Sequence, residues 1–181
     1  MAEISPFWLA VARRIQQLSE LTGKAISWLT LIMMLVMTLV VVLRYGFEMG
    51  WIALQESVLY LHAIVLMLGM AYTLKLDGHV RVDIFYRRFP ARKQARVDLM
   101  GHLLFLIPTC LFILYMSWPY VAQSWSILEG SQEAGGLPLV FVLKGLLLLM
   151  PVLLILQALA DIVSRLFSDK KVQGAKQQEA L

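Results

Sequence analysis

Four long apolar runs, the last interrupted only by Lys144, constrain this chain more than any other feature. They cover residues 25–43, 57–74, 99–118 and 137–160, and the third lies in a wider stretch, 99–128, that holds no Asp, Glu, Lys or Arg. The hydrocarbon core of a bilayer is about 30 Å thick and takes roughly 20 apolar residues to cross as a helix. In lipid, a lone strand leaves its backbone polar groups without partners, so helices are the expected form. A membrane barrel would need short segments of alternating polarity, and none is visible.

Composition points the same way. The 181 residues are 60% hydrophobic and 15% charged, with a mean hydropathy of +0.73. Soluble domains average roughly 45–50% apolar and about 25% charged. The length suits one compact unit. Cys110 is the only cysteine, so no disulfide framework exists and redox compartment is not legible from it. The first apolar run begins at Ala25 and is too long for the core of a cleavable signal peptide. Arg13-Arg14 reads as a plain basic flank.

Lys and Arg fix the orientation. Arg13, Arg14 and Lys24 precede the first run, and only Arg44 lies between the first and second. Lys75, Arg81, Arg87, Arg88, Arg92, Lys93 and Arg96 crowd the connection between the second and third. The connection before the fourth run has none, but carries Glu129 and Glu133; Arg165, Lys170, Lys171 and Lys176 follow the fourth. Both termini and the middle loop are therefore expected inside the cell. The net charge of +4 is a membrane-edge pattern, which leaves no case for nucleic-acid binding. The expected fold class is all-α integral membrane, with four transmembrane helices over residues 25–165. An N-terminal amphipathic helix in residues 1–24 should lie on the inner interface, with Trp8, Val11, Ile15 and Leu18 on one face. The polar tail, 166–181, is expected to be disordered.

Few residues offer chemistry. His79 and Asp83 follow the second run, but no third ligand is near and their neighbours are cationic, so basic residues meeting anionic headgroups account for the stretch. His62 is the ionisable group deepest in a span, which marks it as a functional candidate against the plainer reading of an imidazole bonded to a neighbouring helix. Lys144 should snorkel to the outer interface. Asp161 can reach water or Arg165, and Arg44 can pair with Glu48 or Glu56 or be solvated at the surface. A haem-bearing anchor of a redox complex is the enzyme-class rival. Its two axial histidines would need matching depth, and His62 and His102 differ by roughly 13 Å at 1.5 Å per residue. A stand-alone exporter would want a buried carboxylate, and a solo transporter would want broken half-helices around a substrate cage; neither is visible. No catalytic, cofactor or metal site is expected.

The stretch 44–85, RYGFEMGWIALQESVLYLHAIVLMLGMAYTLKLDGHVRVDIF, resembles the small membrane subunit, DctQ type, of tripartite ATP-independent periplasmic (TRAP) transporters. The matching features are Arg44-Tyr45 after the first span, Glu56 opening the second, the small-residue stretch from Leu68 to Ala71, and Gly78-His79 followed by Val82-Asp83. Gln55-Glu56 keeps one of the two acids that the family usually has there. Residues 133–162 are similar to the branch named for mannitol and chloroaromatic compounds, which is associated with 2-oxo acids and lactate-type carboxylates. The resemblance implies a bacterial inner-membrane protein beside a large membrane subunit and a periplasmic binding protein, in ion-gradient-driven uptake. It further implies docking of the binding protein on Arg44, Glu48, Glu129 and Glu133, packing on the large subunit through Gly69, Ala71 and Gly145, and a structural motif of Glu56, Gly78, His79 and Asp83.

Overall fold

The computed structural model describes residues 6–79, 86 and 88–178. All regular structure among them is helical: α1 (Pro6–Gly46), α2 (Ile52–Lys75), α3 (Ala91–Gly101), a π-helical turn (His102–Leu106), α4 (Ile107–Ser126) and α5 (Val140–Gln178). Four stretches are long and apolar enough to cross a bilayer, and one of them runs through α3, the π turn and α4 as Arg92–Ser126.

The helices overrun the apolar runs. Residues 6–24 are not set off as a helix of their own, because α1 continues unbroken from Pro6 to Gly46. Pro6 suits a first turn, where its missing N–H costs nothing, and no breaker follows. The face of the N-terminal half is used inside the molecule, where Ala12, Ser19 and Ile26 are buried. At 41 residues the helix is about 60 Å long, twice the hydrocarbon thickness. Glu48, in the left-handed conformation at φ 56°, ends this region while the Met49 N–H reaches back to the Leu43 carbonyl at 2.9 Å. The tail likewise continues as helix to Gln178, since Lys, Gln and Ala favour helix.

Pro119 lies inside α4, which continues past it to Ser126. A proline inside a membrane helix is tolerated where surrounding structure satisfies the freed backbone groups. Pro108 acts differently. It offers no N–H to the Leu104 carbonyl, and just there the helix widens, with the Ile107 N–H bonded to the His102 carbonyl five residues back.

The last helix, α5, is the centre of the packing. It contacts α1, α2 and α4, and α1 also lies along α2. Small side chains permit close approach in a membrane, where apolar burial gives no drive between helices. Ala158 and Ala160 of α5 are fully enclosed, as are Ala71 of α2 and Cys110 of α4. Gly23 of α1 sits against the Tyr72 ring so closely that a Cβ there would come within 2.6 Å of Cδ2. Most other large apolar side chains, such as Leu35, Phe112 and Tyr115, face outward.

A chain of polar contacts crosses the inner half. Ser19 Oγ donates to Gln157 Oε1 at 2.7 Å, and Gln157 Nε2 donates to Asp161 Oδ1 at 2.9 Å. His102 Nε2 lies 3.7 Å from Asp161 Oδ2. Nearby, Gln16 Nε2 donates to Ser164 Oγ at 3.1 Å and Lys75 Nζ to Glu20 Oε2 at 2.6 Å. Arg165 does not pair with Asp161. Its Nη1 donates to Asp98 Oδ2 at 2.6 Å, a carboxylate that also accepts from Tyr86.

Candidate functional site

The outer end holds most of the polar residues singled out in the sequence, and Glu56 organises it. Glu56 lies in the first turn and a half of α2, where a carboxylate is favoured by the helix dipole and by unpaired N–H groups. Its side chain leaves the helix and clasps the loop between α4 and α5. Ser131 Oγ donates to Oε1, and the Leu137 N–H donates to Oε2 at 2.6 Å. The loop closes on itself through Ser131 N–H to Leu137 carbonyl at 3.0 Å. Gly136 makes the clasp possible, since a Cβ at that position would fall 2.8 Å from Glu56 Oε1 and collide with Ser131. Gly135 takes φ 80°, which a glycine adopts freely.

The second anchor of the loop is ionic. Lys144 Nζ donates to Glu129 Oε2 at 2.5 Å and rests 4.1 Å from the centre of the Tyr120 ring. Lys144 thus pairs with a carboxylate of its own chain, with its side chain 15% exposed. The hydrogen bond from Lys144 holds the Glu129 carboxyl below its ordinary range. Trp125 packs edge-on to Phe141 at 5.0 Å between centroids, fixing the two helices that flank the loop.

Arg44 and Glu133 line one groove of about 660 Å³ with Met37, Val40, Ile52 and Leu59. Arg44 and Glu133 are exposed, and so is Glu48. Arg44 pairs with neither Glu48 nor Glu56: it forms no ion pair with a described residue, and both Glu56 oxygens are taken by the loop. So the structure brings Arg44, Glu56 and Glu133 together, engages Glu129 in an ion pair, and leaves Glu48 in the α1–α2 connection.

The three small residues fare differently. Ala71 is buried within the chain and Gly145 lies against the Trp125 ring, 3.4 Å from Nε1 at its would-be Cβ, so both have contacts inside the chain. Gly69 alone has open space, with no atom within 4 Å of that position. At the inner end, Gly78 caps α2 through its N–H to the Thr73 carbonyl at 2.9 Å. His79 lines a cavity of about 300 Å³ with His102, Asp98 and Asp161; Asp83 and Val82 lie outside the described residues. His62 makes no hydrogen bond with a described residue; it is exposed on α2, whereas His102 is enclosed beside Asp161, so the two imidazoles do not face one site. No group of three or more metal-ligating side chains occurs among the described residues.

Sequence reasoning missed Gln157, whose side chain is completely buried, and its partner Ser19. The signal was there: a glutamine inside an otherwise apolar span needs a hydrogen-bond partner.

Comparison with known protein families gives one match. The family described as "Tripartite ATP-independent periplasmic transporters, DctQ component" matches residues 33–168, three quarters of the chain. No curated protein and no solved structure matches it.

Proposed function

Because this chain belongs to the DctQ family, the small permease component of TRAP transporters, we propose that it braces a large membrane subunit and helps seat a periplasmic binding protein on its outer face. It is an inner-membrane transport component and not an enzyme. The cargo in this reading is an organic carboxylate, a 2-oxo or 2-hydroxy acid, moved by an ion gradient. The similarity of residues 133–162 to the mannitol and chloroaromatic branch supports that substrate class.

The observation that carries the docking role is the clasped outer loop. Glu56 and Lys144 hold residues 129–137 against the bundle, and Glu133 stands exposed on that loop beside Arg44. Charged groups on a fixed surface steer a partner and set its register. Glu48 and Arg44 extend the surface onto the α1–α2 connection, and Glu129 contributes the face not taken by Lys144.

Uptake in cells carrying Glu133→Lys and Glu48→Lys tests this reading. Uptake falls several-fold while the large subunit still co-purifies. Unchanged uptake in the double variant rejects the docking surface. Failure of any large membrane subunit to co-purify with the unaltered chain rejects the scaffold.

A further inference from the structure

His62 occupies an unusual place. It lies ten residues after Ile52 and thirteen before Lys75, so about 15 and 20 Å from the two ends of α2 at 1.5 Å per residue. That is near the middle of the apolar span. Its imidazole is exposed, and no described residue bonds it. Ionisable side chains at this depth face a protein interior or a watery cavity, because hydrocarbon offers them no partner. An imidazole is also too short to reach either interface from there.

The surrounding surface has a matching pattern. Gln55, Leu59, His62, Leu66, Gly69 and Thr73 follow one another in alternating steps of four and three. That is the spacing of a helix seam, in which one helix lies along another. Leu59 and Leu66 are 63% and 50% exposed, and Gly69 has nothing over it. Ala71, on the opposite side of α2, is buried, and Tyr72, on its flank, lies against Gly23 of α1.

We infer that this outward stripe of α2 is the seat of a transmembrane helix of the large subunit, with His62 hydrogen-bonded across the seam to a polar side chain of that helix. The inference rests on the scaffold reading above and adds the face. A lipid tail would fill the space over Leu59 and Leu66 but would leave the imidazole unpaired. A partner helix satisfies it, and Gly69 lets the two backbones approach closely at the inner half of the seam. A single polar group in such a seam also fixes its register.

The test uses the assembled complex. A photo-crosslinking side chain at Leu66 gives adducts with the large subunit, and one at Phe112, exposed on α4, serves as the comparison face. His62→Leu weakens retention of the large subunit about 3- to 20-fold, the range of interhelical hydrogen bonds in membranes, and His62→Gln restores most of it. Gly69→Leu, at a position where an added Cβ meets nothing inside the chain, weakens it further. Adducts at Leu66 with lipid only, or with a second copy of this chain, overturn the inference, as does full retention in both His62→Leu and Gly69→Leu. In each of those outcomes the large subunit still co-purifies, so the scaffold reading survives; if it never co-purifies, that reading is what has failed.

Discussion

Ser19 and Gln157, 138 positions apart in the chain, share a fully buried hydrogen bond of 2.7 Å that ties α1 to α5. Because Gln157 also donates to Asp161, its amide uses its oxygen and its nitrogen at once. Gln157→Leu removes both contacts and leaves Ser19 and Asp161 short of a partner each. A loss of about 1–3 kcal/mol is expected for the buried groups left unpaired, measured as unfolding stability in detergent. A double-mutant cycle with Ser19→Ala returns a coupling of about 0.6 kcal/mol, up to about 1.7, as for other interhelical bonds in membranes. Gln157→Glu is worse than Gln157→Leu in this position, since it places a second carboxylate within hydrogen-bond distance of Asp161.

Glu56→Ala frees the outer loop. Both loop contacts end on that one carboxylate, and hydrogen bonds to a charged group are worth about 1.5–3 kcal/mol each. The amide of Leu137 should lose most of its protection in hydrogen exchange, with the helical core of α5 unchanged. Equal protection in the variant and the unaltered chain would show that the loop holds itself.

Gly136→Val gives a similar loosening by a different route. The added side chain collides with Ser131 and Glu56 and pushes the clasp open. Exchange at Ser131 and Leu137 rises in this variant even though every hydrogen-bonding group is still present.

The Glu129–Lys144 pair makes part of the stability pH-dependent. Lys144 lowers the Glu129 carboxyl below its ordinary value of 4.5 in the folded protein, so the unfolded chain binds the proton more readily. The stabilisation is present above that ordinary value and fades as pH falls through the lowered one. The stability difference between the unaltered chain and Glu129→Gln is therefore constant from pH 7 to about pH 5 and shrinks below pH 4. A melting series across that range reads it directly. A difference that grows on acidification would contradict the assignment.

Gly23→Val strikes the α1–α2 contact. The Tyr72 ring must leave its site, and overpacking of this kind costs about 1–3 kcal/mol. Thermal stability falls, and Tyr72→Ala in the same chain recovers part of the loss.

Much of this architecture is legible in the residues. Apolar length announces each membrane helix, the fourth despite Lys144 within it. The family pattern of Arg44-Tyr45, Glu56 and Gly78-His79 is readable by eye, and the family match covers it. What the residues conceal is partnership across distance. Nothing near Glu56 in sequence indicates that it holds Ser131 and Leu137, because the contact depends on how α2 comes to lie beside a loop 75 and more positions away. Asp161 has Arg165 one turn away, yet Arg165 turns to Asp98 and leaves Asp161 to Gln157. Small residues show the same ambiguity: Gly69, Ala71 and Gly145 look alike in an apolar run, and only packing separates the open one from the two already covered. Helix ends were also hidden, since hydropathy marks where lipid stops and says nothing of where backbone hydrogen bonding stops.

The length of α1 carries a mechanical consequence. One column without a joint runs from Pro6 to Gly46, lashed to α5 at Gln157 and Ser164 below and to α2 beside Tyr72 above. A load applied at the Gly46 end therefore reaches the Pro6 end as a tilt of the whole post, and the post must lean as one piece or stay where it is.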